Sequence, residues 1–485
     1  MGKWVVLLQR AIFFFLALFV ILLPHSVKGA RHAWIIAFWI WLAALLIERK
    51  RLVSQPLVLP LLAFIVLSGI STALSPDPYL SWGYMKLVCY TALIGTLFAQ
   101  NLHRLSQIRI LIVLLLLSAS AAAAFTAWQY TYGIGVRVMA IGGDNQLFGA
   151  GIRPLDVITE VDGRSVHTPP QLLAALHDAN LHSLVHVDFL RGAPTERHST
   201  AFEVAAGGFD PHSLELVRAK PIRAQGTLRH YGIFAEVLMP MGCFAWALFM
   251  GSLPQHRWRA LLFVLIFLAI TATIFATETR AALAGLVVGC VLAVLLLVRR
   301  RARLWMVVGL AVLAVGATLW IQHTRGLGWV ARRDAGTQYR WLMWQDGMRL
   351  AKQHPWFGVG MATVQNHWRQ WNIRAFETYH AYWNFHSDFV QIAAERGFLT
   401  LAAWLWFEIA YLVFLFRLVT RARRQNRFAA TIAVGVLSGL VAFLFPSLVE
   451  SALNDDALVM LLFFSFGVAL AIDRLLRQPG ALDVD

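Results

Sequence analysis

The clearest structural signal lies at residues 261–298, which comprise LLFVLIFLAITATIF (261–275), ATETR (276–280) and AALAGLVVGCVLAVLLLV (281–298). Neither long run contains a charged residue, and each is close to the length that a helix needs to cross a bilayer. Lipid offers the backbone no hydrogen-bond partners, so such runs must be helices whose hydrogen bonds are closed internally. This stretch therefore predicts two membrane-spanning helices joined by a short turn that ends at Arg280.

The composition extends this prediction to most of the chain. Of the 485 residues, 59% are hydrophobic and 14% are charged, with a mean hydropathy of +0.62. A soluble domain carries about 25% charged residues, so a single soluble core is excluded. We predict an all-α polytopic membrane protein with about twelve transmembrane helices. The spans are expected near 8–23, 32–47, 57–74, 84–100, 108–128, 232–251, 259–276, 281–298, 304–321, 398–416, 429–446 and 457–473.

The formal charge of +16 favours membrane lipids over nucleic acid as the partner. The basic residues cluster between spans, where they act as orientation signals and contact anionic lipids. No basic, aromatic-laced surface segment or nucleic-acid-binding motif accompanies them, so no nucleic acid is expected. The three cysteines lie inside apolar runs and imply neither disulfides nor a zinc site.

The loops alternate in charge, which predicts the orientation. One set is basic, as at Arg299-Arg300-Arg301, whereas 75–82 and 446–456 contain no Lys or Arg. The basic set is expected in the cytoplasm of a bacterial inner-membrane protein, with both termini. Two long polar segments then face the periplasm. The predicted divisions are 1–130 (spans 1–5), 135–206 (insert), 229–321 (spans 6–9), 322–397 (periplasmic catalytic loop) and 398–485 (spans 10–12 and a cytoplasmic tail).

Residues 135–206 resemble a bacterial PDZ domain. The stretch AGIRPLDVI (150–158) is followed by the turn signal Asp162-Gly163, a predicted helix over 168–178 and a closing strand over 185–191. The resemblance implies a small periplasmic α+β insert. PDZ domains bind extended peptide ends by adding a strand to a sheet edge, with 133–135 as a weak candidate for the binding loop. A peptide or protein partner and a degenerate spacer both stay open.

The second polar segment carries a different set of motifs. It contains HPWFGVG (354–360), HSDFVQ (386–391) and ERG (395–397), and TETR (277–280) lies at the short turn between two spans. Together these resemble the O-antigen ligase and polymerase family, which transfers lipid-linked glycans. The resemblance covers most of the chain apart from the insert. Ser387 departs from the pattern, because Asn is commonest at that position.

The resemblance implies roles for particular side chains. His386 is the expected general base, although a surface or aromatic-packed histidine is the alternative. Arg280 and Arg229 are expected to stabilise the departing diphosphate, and the alternatives are snorkelling for Arg280 and a solvated positive face for Arg229. No cofactor is implied, and the lack of a suitable acidic cluster predicts a metal-independent enzyme. Substrate binding is expected from a further set: Arg340, His380, Asn384 and Glu395.

The expected activity is that of an O-antigen ligase-type glycosyltransferase. It would move a glycan from a polyprenyl diphosphate carrier to a hydroxyl of the lipid A-core acceptor, with inversion. An O-antigen polymerase or a protein O-oligosaccharyltransferase has the same motifs and differs in acceptor. An intramembrane protease would need HExxH or GxSG on a span, and neither occurs. A transporter with midplane sites at Glu236 and Glu408 is less favoured, because the spans show no paired, broken repeats.

Overall fold

The structure is a computed structural model that describes residues 2–48, 55–178, 184–191, 196–204, 209, 211, 213–221, 223–228, 230–253, 256–324, 335–375 and 384–478. Ten of the helices within these ranges are long and apolar enough to cross a membrane. The helices are α1 (Gly2–Leu22), α2 (Val27–Glu48), α3 (Val58–Ala73), α4 (Pro78–Asn101), α5 (Leu105–Tyr132), α6 (Gln146–Gly149), α7 (Pro169–His177), α8 (Tyr231–Ser252), α9 (Arg257–Ala276), α10 (Arg280–Leu297), α11 (Arg300–Thr324), α12 (Ala335–Gln353), α13 (Thr363–Asn366), α14 (Asp388–Gln425), α15 (Arg427–Leu444) and α16 (Asp456–Arg477).

The predicted count of twelve spans is not confirmed. Two predicted spans, 57–74 and 84–100, coincide with α3 and α4. Helix α3 has only 16 residues, and α4 is not among the ten helices that are sufficiently long and apolar. A helix rises about 1.5 Å per residue, so α3 falls short of the roughly 20 residues that an untilted span requires.

The first compact unit combines residues 1–121 with 231–485. Its centre is formed by α8, α15 and α16, whose most apolar windows are 83%, 78% and 89% buried. Helices α9 and α10 pack against α8, and α14 packs against α3, α12 and α15. By contrast, the window of α11 is 0% buried within the chain. The central helices are thus enclosed by other helices, and most of their buried side chains are apolar, as expected for such helices.

The second compact unit, residues 122–230, contains an antiparallel sheet. Its strand order is β5-β4-β2-β1-β6, and β3 pairs with β2. The strands are β1 (Gly135–Ile141), β2 (Val157–Val161), β3 (Arg164–Ser165), β4 (Leu184–Arg191), β5 (Glu196–Glu203) and β6 (Leu214–Ala219).

The sequence predicted several elements of this sheet correctly. Asp162 and Gly163 form the tight turn between β2 and β3 with φ angles of 47° and 77°, as a type I′ turn requires. The predicted helix and closing strand appear as α7 and β4. The sheet, however, continues beyond residue 206, where we placed the end of the insert, because β6 pairs with β1. The likeness to a PDZ domain stays a prediction.

Candidate functional site

The candidate site is built around the start of α14. Ser387 is the N-cap, and its hydroxyl accepts a hydrogen bond from the amide of Val390 at 3.5 Å. The side-chain oxygen of Asn384 accepts a hydrogen bond from the amide of His386 at 2.8 Å. These contacts hold His386 at φ 48°, in the left-handed region. Residues other than glycine in this region cluster at functional sites.

His386 is joined to an acidic residue 64 positions later. Its Nδ1 lies 3.0 Å from Oε2 of Glu450, and Oε1 of the same carboxylate lies 2.5 Å from Nη2 of Arg340. The side chains of His386 and Glu450 are 20% and 21% exposed. One carboxylate therefore bridges a guanidinium and an imidazole in a half-buried place, where charge interactions are stronger than in open solvent.

The electrostatics of Glu450 follow from this pairing. Burial alone would raise its pKa, but the hydrogen bond from His386 and the charge of Arg340 outweigh burial and hold the pKa below its usual value. Glu450 is therefore a carboxylate at neutral pH. Asp455 lies on the same loop, and burial together with the charge of Glu450 raises its pKa to about 7.

Aromatic residues fix the imidazole from the other side. The ring of Tyr339 meets that of His386 edge to face at a centroid distance of 5.5 Å. The indole Nε1 of Trp344 donates a hydrogen bond to the carbonyl of His386 at 2.9 Å. Both residues belong to α12, so this helix orients the ring and the backbone of His386.

Helix α12 has two different faces. Met343, Asp346 and Leu350 recur at helical spacing and are buried. Oδ1 of Asp346 accepts a hydrogen bond from Nε of Arg374 at 2.8 Å, which ties the helix to the segment before α14. The buried face thus fixes α12 in place, and the opposite face is left to form part of a cavity.

A cavity of about 710 Å³ lies beside the site. Its lining is mostly apolar and includes Trp341, Trp344, Arg349 and Lys352 from α12 and Ser387 next to His386. Trp341 is 60% exposed, and its ring lies 6.4 Å from that of Trp344 at an angle of 68°. One exposed and one partly buried indole ring, with Lys352 on the same wall, suit a ring ligand that carries negative charge.

The HPWFGVG segment packs against the bend in α14. Gly358 (φ 67°) and Gly397 (φ 82°) both have left-handed backbones. A Cβ at Gly358 would lie 2.3 Å from the carbonyl carbon of Glu395, and one at Gly397 would lie 2.2 Å from the carbonyl oxygen of Trp356. Only glycine fits where the two backbones approach this closely. This accounts for Gly358 in HPWFGVG and for Gly397 in ERG.

Glu395 is 4% exposed, and its side chain contacts the same segment. Its Oε1 accepts a hydrogen bond from the amide of Ala362 at 3.1 Å, and its carbonyl accepts one from Gly360 at 2.8 Å. The hydroxyl of Ser81 donates to the carbonyl of Met361 at 2.9 Å. These contacts show Glu395 holding the loop, whereas its predicted contact with substrate stays a prediction.

Arg280 is the first residue of α10, as the short turn in the sequence suggested. The turn before it places Glu278 in the left-handed region with φ 53°. Helix α10 packs against the turn that begins at Pro446, since a Cβ on Gly285 would lie 3.1 Å from Cδ of Pro446. Arg280 precedes Gly285 by about five residues, or about 7.5 Å along the helix axis. It therefore starts its helix at the end of the bundle where the Glu450 loop begins.

The structure brings Arg340, Asn384 and His386 together. Arg229 and His380 lie outside the described residues, so their predicted roles stay predictions. Sequence reasoning missed Glu450 as the partner of His386. Its location in a loop without Lys or Arg was the available signal, because an acidic residue there needs a cation from elsewhere.

Glu450 and Asp456 of that loop are paired with cations of the chain. Asp456 pairs with Arg31 and accepts a hydrogen bond from Tyr90 at 3.2 Å. Within the part of the chain that the structure describes, no group of three or more His, Cys, Asp or Glu side chains is arranged to hold a metal ion. Metal independence stays a prediction.

Comparison with protein families finds a match to the model described as O-antigen ligase, over residues 262–405. This range begins in α9, includes Arg280, Arg340 and His386, and ends within α14. Glu450 lies beyond it. Comparison with curated proteins finds no match.

Proposed function

Through residues 262–405 this chain belongs to the O-antigen ligase family, and we propose that it is an inverting glycosyltransferase of the inner membrane. The donor is a glycan on a polyprenyl diphosphate, and the acceptor is a hydroxyl of lipid A-core on the periplasmic side. The observation that carries this proposal is the bridge from Arg340 through Glu450 to His386, at the edge of the cavity lined by Trp341 and Trp344.

The reaction begins at the histidine. Because Nδ1 of His386 faces Glu450, Nε2 is the nitrogen available to the acceptor. It takes the proton of the acceptor hydroxyl, and the acceptor oxygen attacks the anomeric carbon. The bond from that carbon to the diphosphate oxygen breaks, and the electron pair leaves with the polyprenyl diphosphate. A single displacement of this kind inverts the anomeric centre. Glu450 stabilises the imidazolium that forms, as a carboxylate does when it is paired with a catalytic histidine.

Arginines balance the charge that develops on the leaving group. Arg280 and Arg229 are proposed to contact the diphosphate, because one fixed guanidinium group can donate two parallel hydrogen bonds to a phosphate. Arg340 pairs with Glu450, and this contact supports a positioning role for Arg340 in addition to the substrate binding we expected. Asn384 supports the His386 turn in the same way.

The cavity suits the acceptor. Trp341 and Trp344 offer rings on which a sugar can stack, and Lys352 offers charge for its phosphate groups. Arg349, which also lines the cavity, already pairs with Asp346 and donates to the carbonyls of Trp371 and Asn372. Ser387 lines the cavity and is adjacent to His386, so a hydroxyl at the near end of such an acceptor lies next to the base. The polymerase and protein-modifying alternatives would place a different acceptor in the same cavity.

A reconstituted transfer assay tests the proposal. Purified protein is supplied with a polyprenyl diphosphate-linked glycan and with lipid A-core, and the products are separated by gel electrophoresis. Wild type should add the glycan to the core, and His386→Ala should reduce the rate by about 10²–10⁴-fold. His256→Ala, a change at an exposed histidine before α9, is the matched control. Near-normal transfer by a folded His386→Ala protein would contradict the role of the base, and glycan extension without core modification would indicate a polymerase.

A further inference from the structure

Strand β6 covers the edge of β1 in the second unit. It runs antiparallel to β1 with six paired positions, from Gly135 opposite Ala219 to Ile141 opposite Leu214. The register is interrupted once, between Val138 and Ala140. Strand β6 is itself the last strand on this side of the sheet. It therefore occupies the position that an added peptide strand would take on β1.

Helix α7 packs against β6 as well as against β2, the two strands that flank β1. Leu214 and Leu216 of β6 are partly buried and pack on the core to which Leu172 and Leu176 of α7 belong. The outward residues Glu215 and Val217 are exposed, Val217 to 39%, and Arg218 is exposed at the end of the leucine face. A sheet edge beside a helix, filled by alternating apolar side chains, has the features of a groove that takes an extended peptide.

The end of β6 meets the turn that precedes β1. The carbonyl of Ala219 accepts a hydrogen bond from the amide of Ile134 at 2.7 Å, and Ala219 is fully buried. Gly133 has φ 88°, which lets the turn approach the strand end. Arg218 adds a hydrogen bond from Nη1 to the carbonyl of Thr131 at 3.3 Å. A backbone amide presented to the last carbonyl of an extended segment is the contact by which such a turn binds a peptide end.

We propose that residues 214–219 are a built-in occupant of a peptide-binding groove formed by β1, α7 and the 133–135 turn. The external partner is an extended peptide segment with apolar residues at alternating positions and a small residue at its end, as in LELVRA. Such a peptide replaces β6 on β1 by the same backbone pairing. This inference does not depend on the glycosyltransferase activity, and it accounts for a predicted peptide-binding insert whose groove is filled.

The covalent tether of β6 determines how strongly this strand competes with an external peptide. A strand tethered by a short linker has an effective concentration on the order of millimolar. If an external peptide bound the open groove with a dissociation constant of about 10 μM, and β6 had equal intrinsic affinity, the peptide would bind the closed protein about 100-fold more weakly. Weakening β6 should therefore raise the affinity for peptide without any change in the groove.

The first test measures peptide binding to the full-length protein in nanodiscs. The probe is a fluorescent peptide with the sequence of residues 213–220, SLELVRAK. The double variant Leu214→Ser/Leu216→Ser should bind it at least about tenfold more tightly than wild type. Val217→Ser, on the exposed face of the same strand, is the matched control and should bind like wild type. Hydrogen exchange of the β2 and β4 amides reports whether the sheet is intact.

A second test does not require β6 to be weakened. Arg137 and Val217 face each other across the two strands, so Arg137→Cys/Val217→Cys in a Cys89→Ser background should form a disulfide on oxidation. Excess peptide should slow that oxidation, and the oxidised protein should not bind the probe. The proposal is overturned if the serine double variant, with β2 and β4 still protected, binds no better than wild type. It is equally overturned if saturating peptide leaves the oxidation rate unchanged.

Discussion

Replacing Glu450 by glutamine removes the negative charge between Arg340 and His386 and keeps the length of the side chain. Glutamine can still accept one hydrogen bond from either partner. It cannot balance both a guanidinium and the imidazolium that forms when His386 takes a proton. We therefore expect Glu450→Gln to reduce kcat strongly and to change KM little, because the lost interaction is made mainly in the transition state.

The magnitude follows from the geometry of the pair. At the 3.0 Å separation of Nδ1 and Oε2, unit charges interact by about 5 kcal/mol at an effective dielectric constant near 20. Only part of the proton charge has reached the imidazole in the transition state, and both side chains are about one fifth exposed. About half of that energy, ~3 kcal/mol, should be lost, which corresponds to a decrease of about 10²-fold in kcat.

The assay is the reconstituted transfer reaction, with Glu450→Asp and the double variant His386→Ala/Glu450→Gln beside the single variants. Aspartate restores the charge at a longer distance, so it should recover part of the rate. The double variant should be no slower than His386→Ala alone, because residues that act as one unit are not additive. If the two losses multiply, or if folded Glu450→Gln turns over like wild type, Glu450 does not act through His386.

Other perturbations test the remaining parts of the site. Arg280→Lys should weaken donor binding by about tenfold, because lysine lacks a bidentate grip on phosphate; unchanged donor binding would favour the snorkelling alternative. Transfer should survive EDTA, and loss of activity that magnesium or manganese restores would contradict metal independence. Wild type should lose stability as the pH rises, and Asp455→Asn should lose less. The pKa of Asp455 is raised from the usual 3.8 to about 7, so the native state holds an extra proton between these values and stability falls as pH rises through them. Thermal unfolding at about pH 5 and about pH 8 should therefore show a larger decrease in Tm for wild type than for the variant. Replacing the insert should leave transfer measurable in vitro if the linker replaces β6 as well as residues 135–206, since β6 pairs with β1; inactivity of every folded deletion would show that the insert belongs to the site.

Apolar length predicted most helices because it is a local property. The spans expected at 232–251, 259–276 and 281–298 appear as α8, α9 and α10 with ends within two residues. The span expected at 398–416 begins directly after Gly397, where non-helical backbone (φ 82°, ψ 168°) divides α14; the part of α14 from Asp388 to this break precedes the span. Its first turns carry polar residues, including Glu395, that are buried against the HPWFGVG loop. Hydropathy registers those residues as loop, because burial by another part of the protein is not encoded locally.

The contacts in the candidate site join residues that are far apart in the sequence. The roles of His386 and Arg280 stay predictions; as candidates, His386 was predictable from its motif and Arg280 from its place in a short turn between apolar runs. The link between His386 and Arg340 was not, because Glu450 is 64 residues from one and 110 from the other. Only the packing of α12, the start of α14 and the turn after α15 brings the three groups together. The family match also ends before Glu450.

The chain nevertheless contained a physical clue to that link. Its basic residues outnumber the acidic ones by 42 to 26, yet the loop at 446–456 has three acids and no Lys or Arg. Leaving a half-buried carboxylate without a partner is strongly unfavourable, so acids in such a loop need cations from distant segments. Two of the three meet this need directly, Glu450 with Arg340 and Asp456 with Arg31. Asp455, next to Glu450, instead has its pKa raised to about 7, which favours the neutral acid. In a basic membrane protein, an acidic loop without its own cations thus indicates that distant cationic side chains converge on it, and here one of its acids contacts His386, the proposed base.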